Sequence, residues 1–404
     1  MKKTIRALLY LLFIIVASAL IFPQCTSFLK SLGNRWMYVL ILSFTISFLL
    51  TPLIRMLAKK LVILDIPDHR KTHREPTPLL GGLGIYCAFI ITIGLYAVLS
   101  RPLVGLCVAS TLIAGIGILD DYIGLRALYK LICQIIAVII IVYSGIHFDF
   151  LPFGFLARCG EWLFTGIWII GITNAVNFLD GLDGLATGSS AIIAFYLAFV
   201  AYQSQQPYLG WASLAVMGGC MGFLPYNFRF GDALIFLGDT GSTFLGFVLA
   251  SLAVMGKWGP ENVIKTFTPP LLIFGILIFD MIHISTFRIL RHKVSTFKEW
   301  IEFVGRDHLH HRVEALGLNK KQTVIFIFLF EILLGAGALL VRQVHAMAAL
   351  FLLVQGSAIL IIIGILEFLG NKKTQKMDNK ARAELLEHLR NKKKNKYHTT
   401  QDYI

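Results

Sequence analysis

Long apolar stretches alternate with short polar connections along almost the whole chain. Twelve apolar segments of about 17 to 24 residues stand at 6–22, 36–57, 81–99, 102–119, 131–147, 162–178, 186–203, 208–224, 239–256, 267–288, 323–341 and 346–368. A helix rising about 1.5 Å per residue needs runs of that length to cross about 30 Å of hydrocarbon. The pattern predicts an all-α polytopic membrane protein with 11–12 transmembrane helices and a cleft on its cytoplasmic face. It divides the chain into an extra N-terminal helix and outer loop (1–35), a core (36–342), an extra C-terminal helix (343–370) and a basic tail (371–404). Met1-Lys2-Lys3 and a later Ser-Ala-Leu also fit the form of a secretory leader, but a multispan chain needs none, so 6–22 is read as a span.

Composition agrees: 56% of residues are hydrophobic, 15% are charged, and the mean hydropathy is +0.73, far more apolar than a soluble domain requires. The net charge of +14 invites a nucleic-acid reading until its distribution is traced. If connections alternate sides, one set carries 30 of the 37 Lys and Arg residues, and the other only Lys30, Arg35, Arg101, Arg158, Lys257, Lys265 and Arg342. That bias is positive-inside topology, not nucleic-acid binding. It places both termini and every polar motif in the cytoplasm, with the tail serving topology and lipid headgroup attraction. The six cysteines form no C-x-x-C pair, so neither a disulfide framework nor a zinc site is indicated.

Against such a background, polar residues are informative, because a charge in hydrocarbon is costly and is retained for a reason. Five connections on the basic side carry them. Leu64–Gly84 joins Arg70, Lys71, His73 and Arg74 to a Pro-Thr-Pro turn and a glycine pair. Asp120 and Asp121 end one span, with Arg126 and Lys130 just beyond. Adjacent acids repel unless a cation intervenes, and Mg²⁺ binds through one or two carboxylates plus substrate phosphates. "NAVNFLDGLDGLATG" sets Asp180 and Asp183 three residues apart, preceded by Asn174 and Asn177, with Gly181 and Gly184 leaving backbone N–H groups accessible to a phosphate or ribose. "GDTGS" opens a span with Asp239, and Asn227 ends the preceding span. "HLHHR" groups His308, His310, His311 and Arg312, but it lacks the fourth ligand and the cysteine that a structural zinc site uses. Together these residues predict a Mg²⁺-dependent enzyme acting on an anionic nucleotide substrate at the bilayer surface.

Asp120-Asp121, "NAVNFLDGLDGLA", "GDTGS" and "HLHHR", in this order on one side of many spans, resemble the polyprenyl-phosphate N-acetylhexosamine-1-phosphate transferases over roughly residues 36–342. The resemblance implies transfer of a sugar phosphate, GlcNAc-1-phosphate foremost, from a UDP-N-acetylhexosamine to undecaprenyl phosphate in the bacterial inner membrane. UMP is released, and the product opens surface-polysaccharide synthesis. It implies Mg²⁺, with Mn²⁺ as a substitute, and a homodimer. Carried over by position, Asp239 is the metal ligand. Asp120 and Asp121 bind metal or deprotonate the lipid phosphate, which of them does which being left open. Lys71 and Lys130 contact phosphate or nucleotide, Asn174, Asn177, Asp180, Asp183, Gly184 and Asn227 line the nucleotide site, and His308, His310, His311 and Arg312 meet the diphosphate, with His308 counted among the catalytic groups. Leu79 stands where many polysaccharide-branch members carry Arg, and the interval from Asn227 to Asp239 is longer than in many relatives. "HLHHR" is closer to that branch than to the three consecutive histidines of the peptidoglycan branch, whose phospho-MurNAc-pentapeptide transferase is the main alternative. A secondary transporter is disfavoured because the polar residues cluster at span ends and no internal repeat is seen.

Overall fold

The computed structural model describes residues 2–21, 35–67, 75–96, 100–151, 154–229, 231–258, 263–290 and 308–365. Its helices are α1 (Lys2–Ile21), α2 (Arg35–Lys60), α3 (Gly81–Tyr96), α4 (Arg101–Ile123), α5 (Ala127–Tyr143), α6 (Phe155–Leu179), α7 (Leu185–Gln203), α8 (Pro207–Asn227), α9 (Gly238–Met255), α10 (Val263–Ile273), α11 (Gly275–Leu290), α12 (Leu309–Glu314), α13 (Lys320–Leu340) and α14 (Ala346–Ile365). Each of the twelve apolar segments contains a helix, so the all-α polytopic architecture stands.

Two details differ from the expectation. Among the described residues eight helices are long and apolar enough to cross a membrane, with α1, α3 and α5 carrying shorter apolar runs. The tenth segment is not one straight span: α10 and α11 meet at an angle of 82°. Pro269 and Pro270 remove two backbone donors from the turns before the break, and Gly275 opens the helix after it.

Helix α9 is the hub. Apolar or small residues surround it on every side, and 89% of its apolar window is buried, against 17% for α14 at the periphery. Phe244 and Phe247 are fully enclosed, with Tyr86 and Phe89 of α3 edge-on to Phe244 at 5.6 and 5.7 Å. The neighbours approach closely because glycines stand at the crossings. A Cβ at Gly82 would collide with the backbone of Gly241, and one at Gly117 would lie 2.6 Å from Thr240 Cα. Close backbone approach through small residues is how helices associate where lipid supplies no hydrophobic drive. The α2–α8 pair works similarly: Gly218 and Gly222 sit against the α2 backbone, and Ser47 donates to the Gly219 carbonyl at 2.7 Å.

A small backbone network then fixes how α9 begins. Strands β1 (Leu64–Asp65) and β2 (Thr77–Pro78) pair antiparallel, Leu64 opposite Pro78. Phe236 N–H donates to the Pro78 carbonyl (2.8 Å), and the Gly81 and Gly82 amides donate to the Phe236 and Leu237 carbonyls (3.0 and 2.8 Å). The connections preceding α3 and α9 are thus tied together, and Asp239 follows directly from that tie.

Gly117→Val is expected to overpack the α4–α9 crossing at a cost of about 1–3 kcal/mol. A melting temperature in detergent that matches the unsubstituted protein would contradict this packing.

Candidate active site

The first amides of α9 have no intrahelical partners, and no side chain of α9 caps them. Asp121 of α4 supplies the acceptor from outside. Its Oδ1 accepts from Asp239 N–H (2.8 Å), and its Oδ2 accepts from Thr240 N–H (3.1 Å) and Thr240 Oγ1 (2.6 Å). A carboxylate at a helix N-terminus gains both hydrogen bonds and the favourable end of the helix dipole. In this structure both Asp121 oxygens accept hydrogen bonds from the start of α9.

Asp120, its neighbour in sequence, faces α5 instead. Its Oδ1 accepts from Leu125 N–H (2.6 Å), and its Oδ2 from the Lys130 ammonium (2.7 Å). The same ammonium donates to Asp239 Oδ2 at 2.8 Å, so one cation stands between two carboxylates. Asn177 donates to Asp239 Oδ1 (3.0 Å) and to Ser242 Oγ (2.9 Å). The Asp239 side chain keeps 31% of its surface open, against 9% for Asp120, which leaves Asp239 the more accessible of the pair. Asn174 lies one turn before Asn177, donating to Gln134 Oε1 (3.0 Å) and to the Ile170 carbonyl (2.8 Å).

The loop between α6 and α7 brings in the next pair of acids. Asp180 is half-buried, and protein atoms crowd it. That burial, reinforced by the charges of Asp239, Asp121 and Asp183, pushes its carboxyl well above the ordinary range. Asp183 Oδ2 accepts from Ala233 N–H at 3.3 Å. Gly184 turns the chain into α7 at φ +78°, a conformation that glycine adopts without strain. Its N–H donates to Asn227 Oδ1 (2.8 Å), while Asn227 Nδ2 donates to the Ile235 carbonyl (3.1 Å). Asn227 is thus a buried strut between loops. A cavity of about 200 Å³ opens here, lined by Asp183, Phe228, Arg229, Asp232, Lys320 and Lys321 among others.

The histidine segment packs over the same loop. His308 lies 5.1 Å from the Phe178 ring, and a Cβ on Gly181 would collide with the His310 ring. His308 and His310 are buried, whereas His311 is half-buried and lies 3.5 Å from Glu314. Burial, then the neighbouring positive charge of His311, His308 and Arg312, lowers the His310 pKa to about 3. His310 is therefore a neutral imidazole near pH 7. Arg312 and His308 both reach Asp280 of α11, at 3.1 and 3.2 Å.

Lys71 lies outside the described residues. Fourteen of the fifteen predicted site residues fall at one end of the bundle, arranged around the start of α9 and the α6–α7 loop. Asp280 and Gln134 were not anticipated. An acid in an apolar span is itself a signal of function or pairing, and Asp280 carried it. Among the described residues no group of three or more His, Cys, Asp or Glu converges on one point.

These features define a class: a polytopic membrane protein whose helix ends assemble one carboxylate–lysine centre beside a polar cleft. A family model for glycosyl transferase family 4 matches residues 103–257. The chain is 33% identical to the probable undecaprenyl-phosphate N-acetylglucosaminyl 1-phosphate transferase of Bacillus subtilis (strain 168), over 79% of this chain and 88% of that protein. It is 30% identical to the decaprenyl-phosphate N-acetylglucosaminephosphotransferase of Mycobacterium tuberculosis (strain ATCC 25618 / H37Rv), over 72% and 79% of the two chains. The phospho-N-acetylmuramoyl-pentapeptide-transferase of Caldicellulosiruptor bescii is 32% identical, over 75% and 96%. The chain belongs to glycosyl transferase family 4.

Two predictions follow from the geometry. Asp121→Ala strips the cap from α9 and is expected to cost about 1–2 kcal/mol. Asp120→Ala should cost less, and equal melting temperatures for the two variants would contradict the division of roles. For His310, the unfolded chain takes up its proton near pH 6.5, whereas the folded chain resists until about 3. The contribution of this residue to stability is thus intact above about 6.5 and is lost as pH falls toward 3. His310→Gln should accordingly show a smaller drop in melting temperature between pH 7 and 5 than the unsubstituted protein.

Proposed function

We propose that the protein transfers N-acetylhexosamine-1-phosphate, most simply GlcNAc-1-phosphate, from a UDP-sugar to undecaprenyl phosphate at the cytoplasmic face of a bacterial inner membrane, releasing UMP. The observation that carries this reading is the Lys130 ammonium held 2.7 Å from Asp120 and 2.8 Å from Asp239. A reaction that brings a lipid phosphate to a nucleotide diphosphate must offset anion–anion repulsion, and a site with fixed cations and a cation-binding pair of acids meets that need. The family membership and the activities for which the relatives from B. subtilis and M. tuberculosis are named support it.

Asp239 and Asp120 are the residues that would hold Mg²⁺, or Mn²⁺ in its place. Their hard oxygens already converge on one cation, and having only two such carboxylates suits an ion that completes its shell with water and phosphate. When bound, that ion would neutralise charge on the transferring phosphate. Lys130 would then turn toward the phosphates, Asn177 would keep Asp239 oriented, and Asp121 would hold the turn that presents Asp239. A lipid phosphate, with a second pKa near 6, is largely dianionic at pH 7 and needs no strong base to attack. The α6–α7 loop and the cavity beside Asp183 would take the nucleoside. The relatives named for N-acetylglucosaminyl 1-phosphate transfer support the GlcNAc assignment, and so does His-Leu-His-His-Arg in place of three consecutive histidines.

The test is UMP release by the purified protein in detergent with Mg²⁺ and undecaprenyl phosphate, comparing UDP-GlcNAc, UDP-GalNAc and UDP-MurNAc-pentapeptide. Turnover is expected with a simple UDP-N-acetylhexosamine, and Asp239→Asn should lower it by about 10²–10³. Turnover with the pentapeptide substrate alone would overturn the assignment.

A further inference from the structure

Asp280 sits in α11, past the 82° break that turns this segment away from α10. It is 5% exposed, and its carboxylate is matched donor by donor with the histidine segment. Oδ1 accepts from Leu309 N–H (2.8 Å) and from Arg312 Nη2 (3.1 Å), and Oδ2 lies 3.2 Å from His308 Nδ1. Three residues of His-Leu-His-His-Arg therefore hang on one side chain from another element. Helix α12 has no side-chain cap of its own, so the Asp280 contact replaces one.

We propose that Asp280 is a positioning residue for the transfer reaction: it fixes the imidazole of His308 and the guanidinium of Arg312 beside the α6–α7 loop. The proposal rests on the function proposed above. Donation from Nδ1 to the carboxylate sets the tautomer and ring plane of His308, leaving Nε2 on the side away from Asp280. The ring is then steadied against Phe178, whose helix also carries Asn174 and Asn177. Arg312 receives the same anchor, which aligns a planar cation suited to a diphosphate. A charge so buried is costly unless it is fully hydrogen-bonded, and an apolar residue would hold α11 in the bundle equally well. What only the acid supplies is the orientation of the histidine segment. The break between α10 and α11 contributes by letting the second half of the segment take its own direction toward that loop.

The test uses the full chain in detergent with two independent readouts. Hydrogen exchange with mass spectrometry follows the turn beginning at Leu309. Asp280→Leu should speed exchange there while α9 stays protected. UMP release gives kcat and KM: kcat should fall about 10- to 100-fold, the loss typical when a residue that orients a functional group is removed. KM for each substrate should stay within about threefold, marking a lost transition-state contact and not lost binding, and Asp280→Glu should recover part of kcat. Asp280→Asn is nearly isosteric and guards against misfolding of the leucine variant. Combined with His308→Asn, it should slow turnover no further than the slower single change, because the two act as one unit. Unchanged kcat in Asp280→Leu overturns the proposal whether or not exchange at Leu309 rises, and additive losses in the double variant overturn it too. Absence of UMP release from the unsubstituted protein with every UDP-sugar would instead sink the proposed function, and exchange at Leu309 would still judge whether Asp280 holds the loop.

Discussion

A helix that begins inside a protein leaves its first amides without partners, and in a chain surrounded by lipid the protein itself must supply them. Three helix starts are satisfied here from another element. Asp121 of α4 holds the first amides of α9, Asn227 of α8 holds the Gly184 amide leading into α7, and Asp280 of α11 holds the Leu309 amide opening α12. None of α7, α9 or α12 carries a side-chain cap of its own. Each external cap brings one more polar residue to the same end of the bundle, and each fixes the direction in which the capped helix presents its first turn. The active-site candidates are largely residues of those first turns and of the loops that lead into them.

Charge is handled by the same economy. Asp120, Asp121, Asp180, Asp183 and Asp239 crowd one region, and so many carboxylates would repel one another strongly if left bare. The sequence offsets them unevenly. Asp121 is matched by amides and a hydroxyl, Asp120 and Asp239 share Lys130, and Asp180 is left with crowding and like charge, which raises its pKa. Asp239 is partly exposed, and the lysine that it shares with Asp120 is itself a quarter exposed.

Most of this was legible in the sequence, for reasons that also mark where legibility ends. Apolar run length fixes the number of helical segments because hydrocarbon thickness is fixed, and the 30-to-7 bias of basic residues sorts the connections into two faces. Acids at span ends stood out because the background contained so few. What the pattern did not carry was direction. An apolar run looks the same whether its helix is straight or broken, so 267–288 read as one span even though Pro269, Pro270 and Gly275 were visible in it. Asp280 looked like an isolated acid within that span because its partners lie 28 to 32 residues away in the chain. Asn227 is buried, and an exposed and a buried amide are identical in sequence.

Direction also separates the adjacent acids Asp120 and Asp121. Neighbouring in sequence, they could be read as serving one ion. Successive residues on a helix, however, point about 100° apart. On α4 that rotation turns one toward α5 and the other toward α9, so Asp120 meets Lys130 while Asp121 meets the α9 amides. The pair thus acts on two different elements, one residue on the charge balance of the cleft and the other on the helix that carries Asp239. The two carboxylates that do converge on one cation are 119 positions apart in the chain. A helix start held by the neighbour of one of them is what brings them together.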